Sequence, residues 1–395
     1  MQYSGFVKPR YDSGGFAGIP ARIREYCTSG KYDAVVLFLV DGFGWRFFEK
    51  FQDAPFLQWL TKNGKVEKLT AQFPSTTSVH VTTIHTGLPV GKSGVYEWFY
   101  YEPQLDRVIA PLLFSYAGDV ERDTLKGIIK GKKLYPRQTL YQELAMQEVE
   151  SHVFGVRDFT PSTYTNVVTK GAKLHGFKTL PEALVNLGTL LDSVEQPAYV
   201  NFYFSNIDST CHKYGPTAPQ TEAETEAFLH IMNFFFTRTF SGKKKILFLM
   251  TADHGTSEVD PKTTIFLNKD KHFAGIERFI KTNKSGNLLV PAGSARDMFL
   301  YIKDELLSET QEFLASKLNG KAEVVTTEWL IKNGYFGPEI SKRFRERVGN
   351  LVILPHRYEA VWWYEKDVFE QNFYGHHGGL TPQEIEIPLF TLEMR

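Results

Sequence analysis

Cysteine is scarce in this 395-residue chain: Cys27 and Cys211 are the two present, and neither belongs to a CxxC pair. That excludes a disulfide framework and a sulfur-rich zinc site. An excess of one charge is missing too. The 45 basic and 45 acidic residues cancel to a formal net charge of zero, which argues against a broad basic surface for a nucleic acid polymer or an acidic membrane. No apolar run reaches the length of a bilayer crossing. The opening stretch, MQYSGFVKPRYDSGGFAGIP, lacks the apolar segment of a signal peptide. Internal repeats and low-complexity tracts are absent as well. The expectation is a cytoplasmic protein that meets a small molecule rather than a membrane, with its oligomeric state left open.

What the chain does have is short, dense apolar runs. Ala34–Val40, Tyr199–Phe204 and Ile246–Met250 are rich in β-branched or aromatic residues and too short for buried helices. Such runs read as buried strands of a mostly parallel sheet. Helical patterns lie between them, over Phe56–Lys62, Ser78–His85 and Thr221–Phe240, and the alternation predicts helices on both faces. From Lys262 to Val361 the texture changes. Met298–Ile302 and Ala322–Val325 look like strands, and Glu309–Leu318 and Glu339–Arg347 like helices. We read 262–361 as a small α/β insertion, with 1–261 and 362–395 forming the main α/β unit and the apolar tail returning to its sheet.

Each of the three strand runs ends in an acid. Val40 leads into Asp41-Gly42, Phe204 is soon followed by Asp208, and Met250 by Asp253-His254-Gly255. Ligands of open α/β sheets gather outside the carboxyl ends of the strands, so three acids meet on one edge. Asp208 and His212 stand four residues apart, a spacing that aims both at one point on a helix. Carboxylate plus imidazole suits zinc. Asp253 and His254 would point to opposite faces of a regular strand, and share an ion only if the chain turns, which Gly255 permits.

The stretch Phe73-Pro74-Ser75-Thr76-Thr77-Ser78 precedes a helical run, where unpaired N–H groups and the helix dipole welcome a phosphate. A threonine hydroxyl is a poor nucleophile unless a divalent metal lowers its pKa. With Asp41 and His377 added, Thr77, Asp208, His212, Asp253 and His254 make seven groups, enough for two adjacent divalent cations. Each residue also has an ordinary structural role open to it. Asp41 can cap a helix, as can Ser75, Thr76 or Thr77.

Five segments carry a resemblance: VVLFLVDGFG at 35–44, FPSTTSVHVTTIHTGL at 73–88, NIDSTCHKYGP at 206–216, TADHG at 251–255 and GHHGG at 375–379. In this order they are similar to the type I phosphodiesterase/nucleotide pyrophosphatase family of the alkaline phosphatase superfamily. The resemblance implies a three-layer α/β/α core with the insertion as a cap. It implies one zinc on Asp208, His212 and His377, and another on Asp41, Asp253 and His254 with Thr77 bound to it as nucleophile. Thr77 is preferred to Thr76 because it lies four residues after Phe73, as the family nucleophile does. The implied reaction is hydrolysis of a small phosphate ester through a phosphothreonine, with zinc favoured over manganese by affinity order.

One departure bears on substrate. The family's nucleotide pyrophosphatases carry an asparagine downstream of the threonine, where this chain reads Gly94-Val95-Tyr96-Glu97-Trp98. Trp98, Phe99 and Tyr100 are candidates for an aromatic wall against a base or an acyl group. His376, His80 and His85 read as supporting or packing histidines, although His85 stands near enough in sequence to reach the site. Lys130-Gly131-Lys132-Lys133 reads as a solvated loop, Trp362-Trp363-Tyr364 as core, and Cys211 as a small filler. No arginine near a motif is a convincing partner for the extra charge of a phosphomonoester, which favours diesters. A phosphomonoesterase, a phosphonoacetate hydrolase-like enzyme and a catalytically silent metal-binding protein remain as alternatives.

Overall fold

The computed structural model describes residues 3–239 and 244–394. A seven-stranded sheet forms the centre. Its strands are β1 (Ala34–Val40), β2 (Lys65–Thr70), β3 (Glu150–Val156), β4 (Lys173–Phe177), β5 (Ala198–Phe204), β6 (Ile246–Thr251) and, near the end of the chain, β10 (Glu386–Met394). Their spatial order is β2-β10-β6-β1-β5-β3-β4. Strands β6, β1, β5, β3 and β4 run parallel, and β10 is antiparallel to both its neighbours. The three apolar runs of the sequence are thus the three central strands, and every residue of β1 is buried. Strands β2, β3 and β4 escape the sequence reading because they carry polar or mixed patterns near the sheet edges, Lys65–Thr70 above all.

Alternation along the strands sorts the two faces. Phe38, Phe202 and Phe248 stack on one face, where Phe248 meets Phe56 of helix α1 (Pro55–Asn63) and Phe204 meets Phe228 of helix α4 (Pro219–Phe234). Tyr199 on the other face stacks on Tyr141, next to helix α2 (Thr77–Thr86). The result is the expected three-layer α/β/α architecture. Helix α3 (Asn206–Tyr214) follows β5 directly. The helix expected over 221–240 starts two residues earlier at Pro219, and Phe240 lies outside the described residues.

The 262–361 stretch contains an antiparallel three-stranded sheet in the order β7-β9-β8, from β7 (Met298–Leu300), β8 (Ala322–Thr326) and β9 (Leu351–Pro355), with helix α5 (Leu307–Lys317). Its faces go separate ways. Met298, Leu300, Val324, Leu351 and Ile353 join a second apolar cluster, while Phe299, Val325, Val352 and Leu354 join the main core. Helix α6 runs over Lys342–Arg347 rather than from Glu339, because the Ser341 hydroxyl accepts from the Phe344 N–H and caps it there. A further three-stranded sheet at 100–116, between the main motifs, had no clear apolar signal in the sequence.

Candidate metal centre

Strands β6, β1 and β5 are adjacent and parallel, so their carboxyl ends deliver Asp253, Asp41 and, through the first turn of α3, Asp208 to one place. The turns are tight. Gly42 sits at φ +74, and a Cβ there would come 3.0 Å from Asp208; a Cβ on Gly255 would meet the Gln383 carbonyl at 2.2 Å. Glycine is therefore required for Asp253 and His254 to turn inward together. The Asp253 carboxylate accepts from the N–H of Gly42 at 3.2 Å and of His254 at 3.0 Å.

His254 Nε2 lies 3.4 Å from Asp41, 3.3 Å from Asp253 and 3.1 Å from the Thr77 hydroxyl. His212 Nε2 is 3.1 Å from Asp208, and His377 Nε2 is 3.8 Å from it. The rings of His254 and His377 stack with centroids 3.6 Å apart. Two sets of ligand atoms come close enough to share an ion: Asp41, Asp253 and His254, and Asp208, His254 and His377. His254 thus stands between the groups, and His212 adjoins the second through Asp208. All seven residues singled out in the sequence meet in one place.

The histidines have a common orientation. Nδ1 of His212 faces the Gly375 carbonyl at 2.8 Å, that of His254 the Gly255 carbonyl at 3.0 Å, and that of His377 the Ser75 carbonyl at 3.0 Å. A carbonyl only accepts, so each Nδ1 carries a proton and each Nε2 is directed inward toward the carboxylates. On the carboxylates, Asp41 Oδ1, Asp208 Oδ1 and Asp253 Oδ2 are buried without a hydrogen-bond partner. Burial, then repulsion from Asp253 and Asp208, lifts the Asp41 carboxyl well above the usual range, and burial raises that of Asp253. Burial opposes the Asp208 charge too, but His212, His377 and His254 outweigh it and hold that carboxyl low. Buried lone pairs of this kind, aimed at one another and without a hydrogen-bond partner among the described residues, fit a divalent cation.

Thr77 opens α2, with Thr76 at the N-cap. The partly exposed Thr77 faces the ligand groups, whereas Thr76 is buried. His80 secures this turn: its Nδ1 donates to the Thr76 carbonyl at 2.7 Å and its Nε2 accepts from the Gln72 N–H at 2.8 Å. Burial pushes its pKa down to about 3, so it stays neutral. His85 bonds the Tyr141 hydroxyl at 2.6 Å, and His376 folds back on the His377 backbone. Both stand beside the site without entering the ligand groups.

A cavity of about 530 Å³ opens from the centre. Trp98, Phe99 and Trp362 line it, but Tyr100 does not. Tyr100 instead stacks on Tyr96 in the core, a correction to the expected three-residue wall, because its short strand turns it toward Arg347. Arg122 lines the cavity despite lying far from every motif in the sequence. Lys130, Lys132 and Lys133 stay outside it, and Cys211 is buried and free. Sequence reasoning also missed Tyr203, whose hydroxyl donates to Asp41. Its polar tip at the end of β5, two residues beyond Asn201 on the same face, was the available signal.

Behind the GHHGG segment, Arg296 and Glu384 form a fully buried ion pair at 2.9 and 3.0 Å. Glu384 also accepts from the Gly379 N–H at 3.0 Å. Arg296 of the 262–361 stretch is thereby tied, through Glu384, to the loop that presents His377.

Comparison with known proteins bears on the family and the fold. Among relatives, human ectonucleotide pyrophosphatase/phosphodiesterase family member 7 is 24% identical over 305 residues, which cover 73% of this chain and 62% of that protein. The chain thus spans less than two thirds of that relative's length. Among solved structures, murine ectonucleotide pyrophosphatase/phosphodiesterase 5 superposes with a TM-score of 0.66 at 16% identity, over 91% of this chain and 87% of that one. An inactive form of the murine protein in complex with AMP gives 0.67 at 16% identity, with the same coverage. Phosphonoacetate hydrolase from Sinorhizobium meliloti, in complex with phosphonoformate, gives 0.63 at 16% identity, covering 91% and 90%. No helix among the described residues is long and apolar enough to cross a membrane. Residues 35–380 match the family described as type I phosphodiesterase / nucleotide pyrophosphatase, and the chain belongs to that family.

Proposed function

We propose that this chain hydrolyses small phosphate esters, diesters or nucleotide pyrophosphates, at a site holding two divalent cations, with Thr77 as nucleophile. The observation that carries the reading is the convergence of a helix-opening hydroxyl, three buried carboxylates with unpartnered oxygens and three inward-facing imidazole nitrogens. Asp41, Asp253 and His254, with Thr77, would hold one cation, and Asp208, His212 and His377 the other. Zinc is the ion this donor set favours, with manganese as the substitute. When bound, such cations lower the pKa of a hydroxyl or water and neutralise charge developing on phosphate oxygens.

The chain's own part is positioning. The first turn of α2 offers its unpaired N–H groups and dipole to a phosphate, and His80 fixes that turn. Thr77 Oγ1 attacks phosphorus, the ester oxygen opposite it leaves, and a phosphothreonine results. Water then attacks the same phosphorus, and Thr77 Oγ1 is the second leaving group. Tyr203 orients the Asp41 carboxylate through its other oxygen, as supporting residues around metal sites do. We further propose that 262–361 acts as the cap over a core formed by 1–261 and 362–395, supported by the Arg296 grip on the His377 loop. Cys27 and Cys211, both free and buried, support a cytoplasmic setting.

The test is hydrolysis of bis-p-nitrophenyl phosphate beside p-nitrophenyl phosphate, with zinc and with chelator. Chelator-sensitive cleavage that favours the diester is expected. Preference for the monoester would transfer the assignment to a phosphatase, with Arg122 as the cation for the extra charge. Cleavage of neither ester would sink the reading and direct the search to phosphonates.

A further inference from the structure

Helix α2 opens differently from other helices of this chain. Thr139, Thr179 and Ser341 each accept, through the hydroxyl, an N–H of the helix they precede. Thr76 stands at the same position before α2 with an extended backbone, yet its hydroxyl makes no capping bond. It adjoins the Glu97 carboxyl instead. A free threonine hydroxyl at an N-cap takes up a first-turn N–H, so something holds this one aside.

Glu97 and Asp297 are both fully buried, and their carboxyl groups adjoin one another. Glu97 Oε2 accepts from the Trp98 N–H, and Asp297 Oδ1 accepts from the Ser294 N–H at 3.1 Å and hydroxyl at 2.5 Å. Glu97 Oε1 and Asp297 Oδ2 have no donor among the described residues. Arg296, next to Asp297, is committed to Glu384. Among the described residues, neither acid belongs to a three-residue group able to share an ion, unlike the acids of the metal centre. Two ionised carboxylates side by side in a dry interior repel, whereas one proton between them supplies the missing donor. Burial lifts the Glu97 carboxyl to about 8, and burial, then repulsion from Glu97, lifts that of Asp297 well above the usual range.

The pair joins two parts of the centre. Through Thr76 it meets the residue before the nucleophile. On its other side the Ser294 hydroxyl lies 3.0 Å from the His377 carbonyl. A Cβ on Gly378 would come 2.5 Å from both Asp297 Oδ1 and Ser294 Oγ, so that loop lies directly against the pair. The Gly293 N–H donates to the Phe99 carbonyl at 2.8 Å and fixes the two acid-bearing segments to each other. We infer that Glu97 and Asp297 share one proton, and that the pair holds the Thr76 hydroxyl aside, leaving the first-turn N–H groups of α2 open to phosphate. Both acids are positioning residues. The inference rests on the hydrolase reading above and adds residues to it. The shared proton ties the two carboxyl groups together, and the charge that remains is spread over oxygens that accept from Trp98 and Ser294 and face the Thr76 hydroxyl.

The experiment uses zinc-loaded full-length protein at neutral pH. Infrared difference spectra compare it with Glu97→Gln and Asp297→Asn. Calorimetry measures binding of inorganic phosphate, which needs no turnover, and kcat/KM is read with bis-p-nitrophenyl phosphate. The expected result is a protonated-carboxyl C=O band that disappears in either amide variant. Glu97→Ala frees Thr76 to cap α2, so phosphate binding weakens about tenfold or more and kcat/KM falls about a hundredfold. Glu97→Gln stays within about threefold of the unaltered protein, because its N–H replaces the shared proton and its carbonyl faces Thr76 as before. Thr76→Asn imposes a cap without altering the pair and should weaken phosphate binding about tenfold too, which keeps the test available where Glu97→Ala fails to fold. Absence of the band, or its persistence in both amide variants, overturns the shared proton. So does a third divalent cation per chain that is lost in Asp297→Asn. Equal losses in Glu97→Gln and Glu97→Ala, or phosphate binding unmoved by Glu97→Ala or by Thr76→Asn, overturn the positioning role and leave the hydrolase reading standing. No turnover of the diester by the unaltered protein, with the band and the phosphate-binding pattern as expected, overturns the hydrolase reading and upholds the pair.

Discussion

Two buried polar clusters of this molecule lie on either side of the His376-His377 segment and obey opposite rules. On one side Arg296 and Glu384 are both fully buried, and they meet in a two-pronged ion pair whose spare capacity is filled by backbone groups. On the other side Asp41, Asp208 and Asp253 are just as enclosed, yet each keeps a carboxylate oxygen that no protein group satisfies. The first cluster is balanced within the chain. The second leaves carboxylate oxygens without hydrogen-bond partners among the described residues, which is what the proposed cations would take up. Burial alone does not separate structure from function here; the difference lies in whether donors and acceptors close on themselves.

That comparison can be broken at several points. Thr77→Ala should lower turnover of the preferred diester by roughly 10³-fold or more while zinc content stays near two per chain by elemental analysis; ordinary turnover would remove Thr77 as nucleophile. Arg296→Met should leave Glu384 as an uncompensated buried charge and cost about 3–5 kcal/mol in denaturant unfolding. A loss under 1 kcal/mol would show that the pair is not the balanced cluster described. Zinc should stabilise the metal-free protein by about 2.7 kcal/mol at a hundredfold excess over Kd, and an unchanged melting temperature would contradict an outside cation as the missing partner.

The pH dependence tests the neutral histidine beneath the nucleophile. Burial holds His80 at about 3, against about 6.5 unfolded. Between those values the unfolded chain binds the extra proton. Stability is therefore present above pH 6.5 and is lost as the pH falls toward 3, by up to about 1.4 kcal/mol per unit. His80→Asn should flatten this slope in metal-free protein, and an unaltered slope would count against it. The smallest effect expected is at Asp41. In metal-free protein Asp41→Asn removes a carboxyl whose charge is opposed by burial and by Asp253 and Asp208, and should stabilise by up to about 1 kcal/mol. A large destabilisation would mean that the carboxylate is balanced after all.

Much of this was legible in the residues because the informative features are local. Buried parallel strands are continuous apolar runs, and Ala34–Val40 could hardly be anything else. Asp208 and His212 are one helical turn apart, and Asp253, His254 and Gly255 are consecutive, so their convergence follows from short-range geometry. The edge strands Lys65–Thr70 and Lys173–Phe177 were not legible, because an edge needs no unbroken apolar pattern. Helix α6 was drawn three residues too long at its start because an apolar count does not see the Ser341 cap. Tyr100 was assigned to the cavity wall by adjacency to Trp98 and Phe99, although adjacent residues of a strand point to opposite sides.

By itself the sequence determined the layer architecture and the strand ends that carry the acids, since periodicity and spacing act within a few residues, while the choice of Thr77 and His377 rested on the resemblance of whole motifs. Only the tertiary structure decided that His254 stands between two ligand groups, that Tyr203 serves Asp41, that Arg122 reaches the cavity, and that Arg296 grips Glu384 across 88 positions of chain. Those relations depend on which strands become neighbours and on where the insertion packs. They are settled by the burial of distant surfaces against one another, which no local pattern encodes.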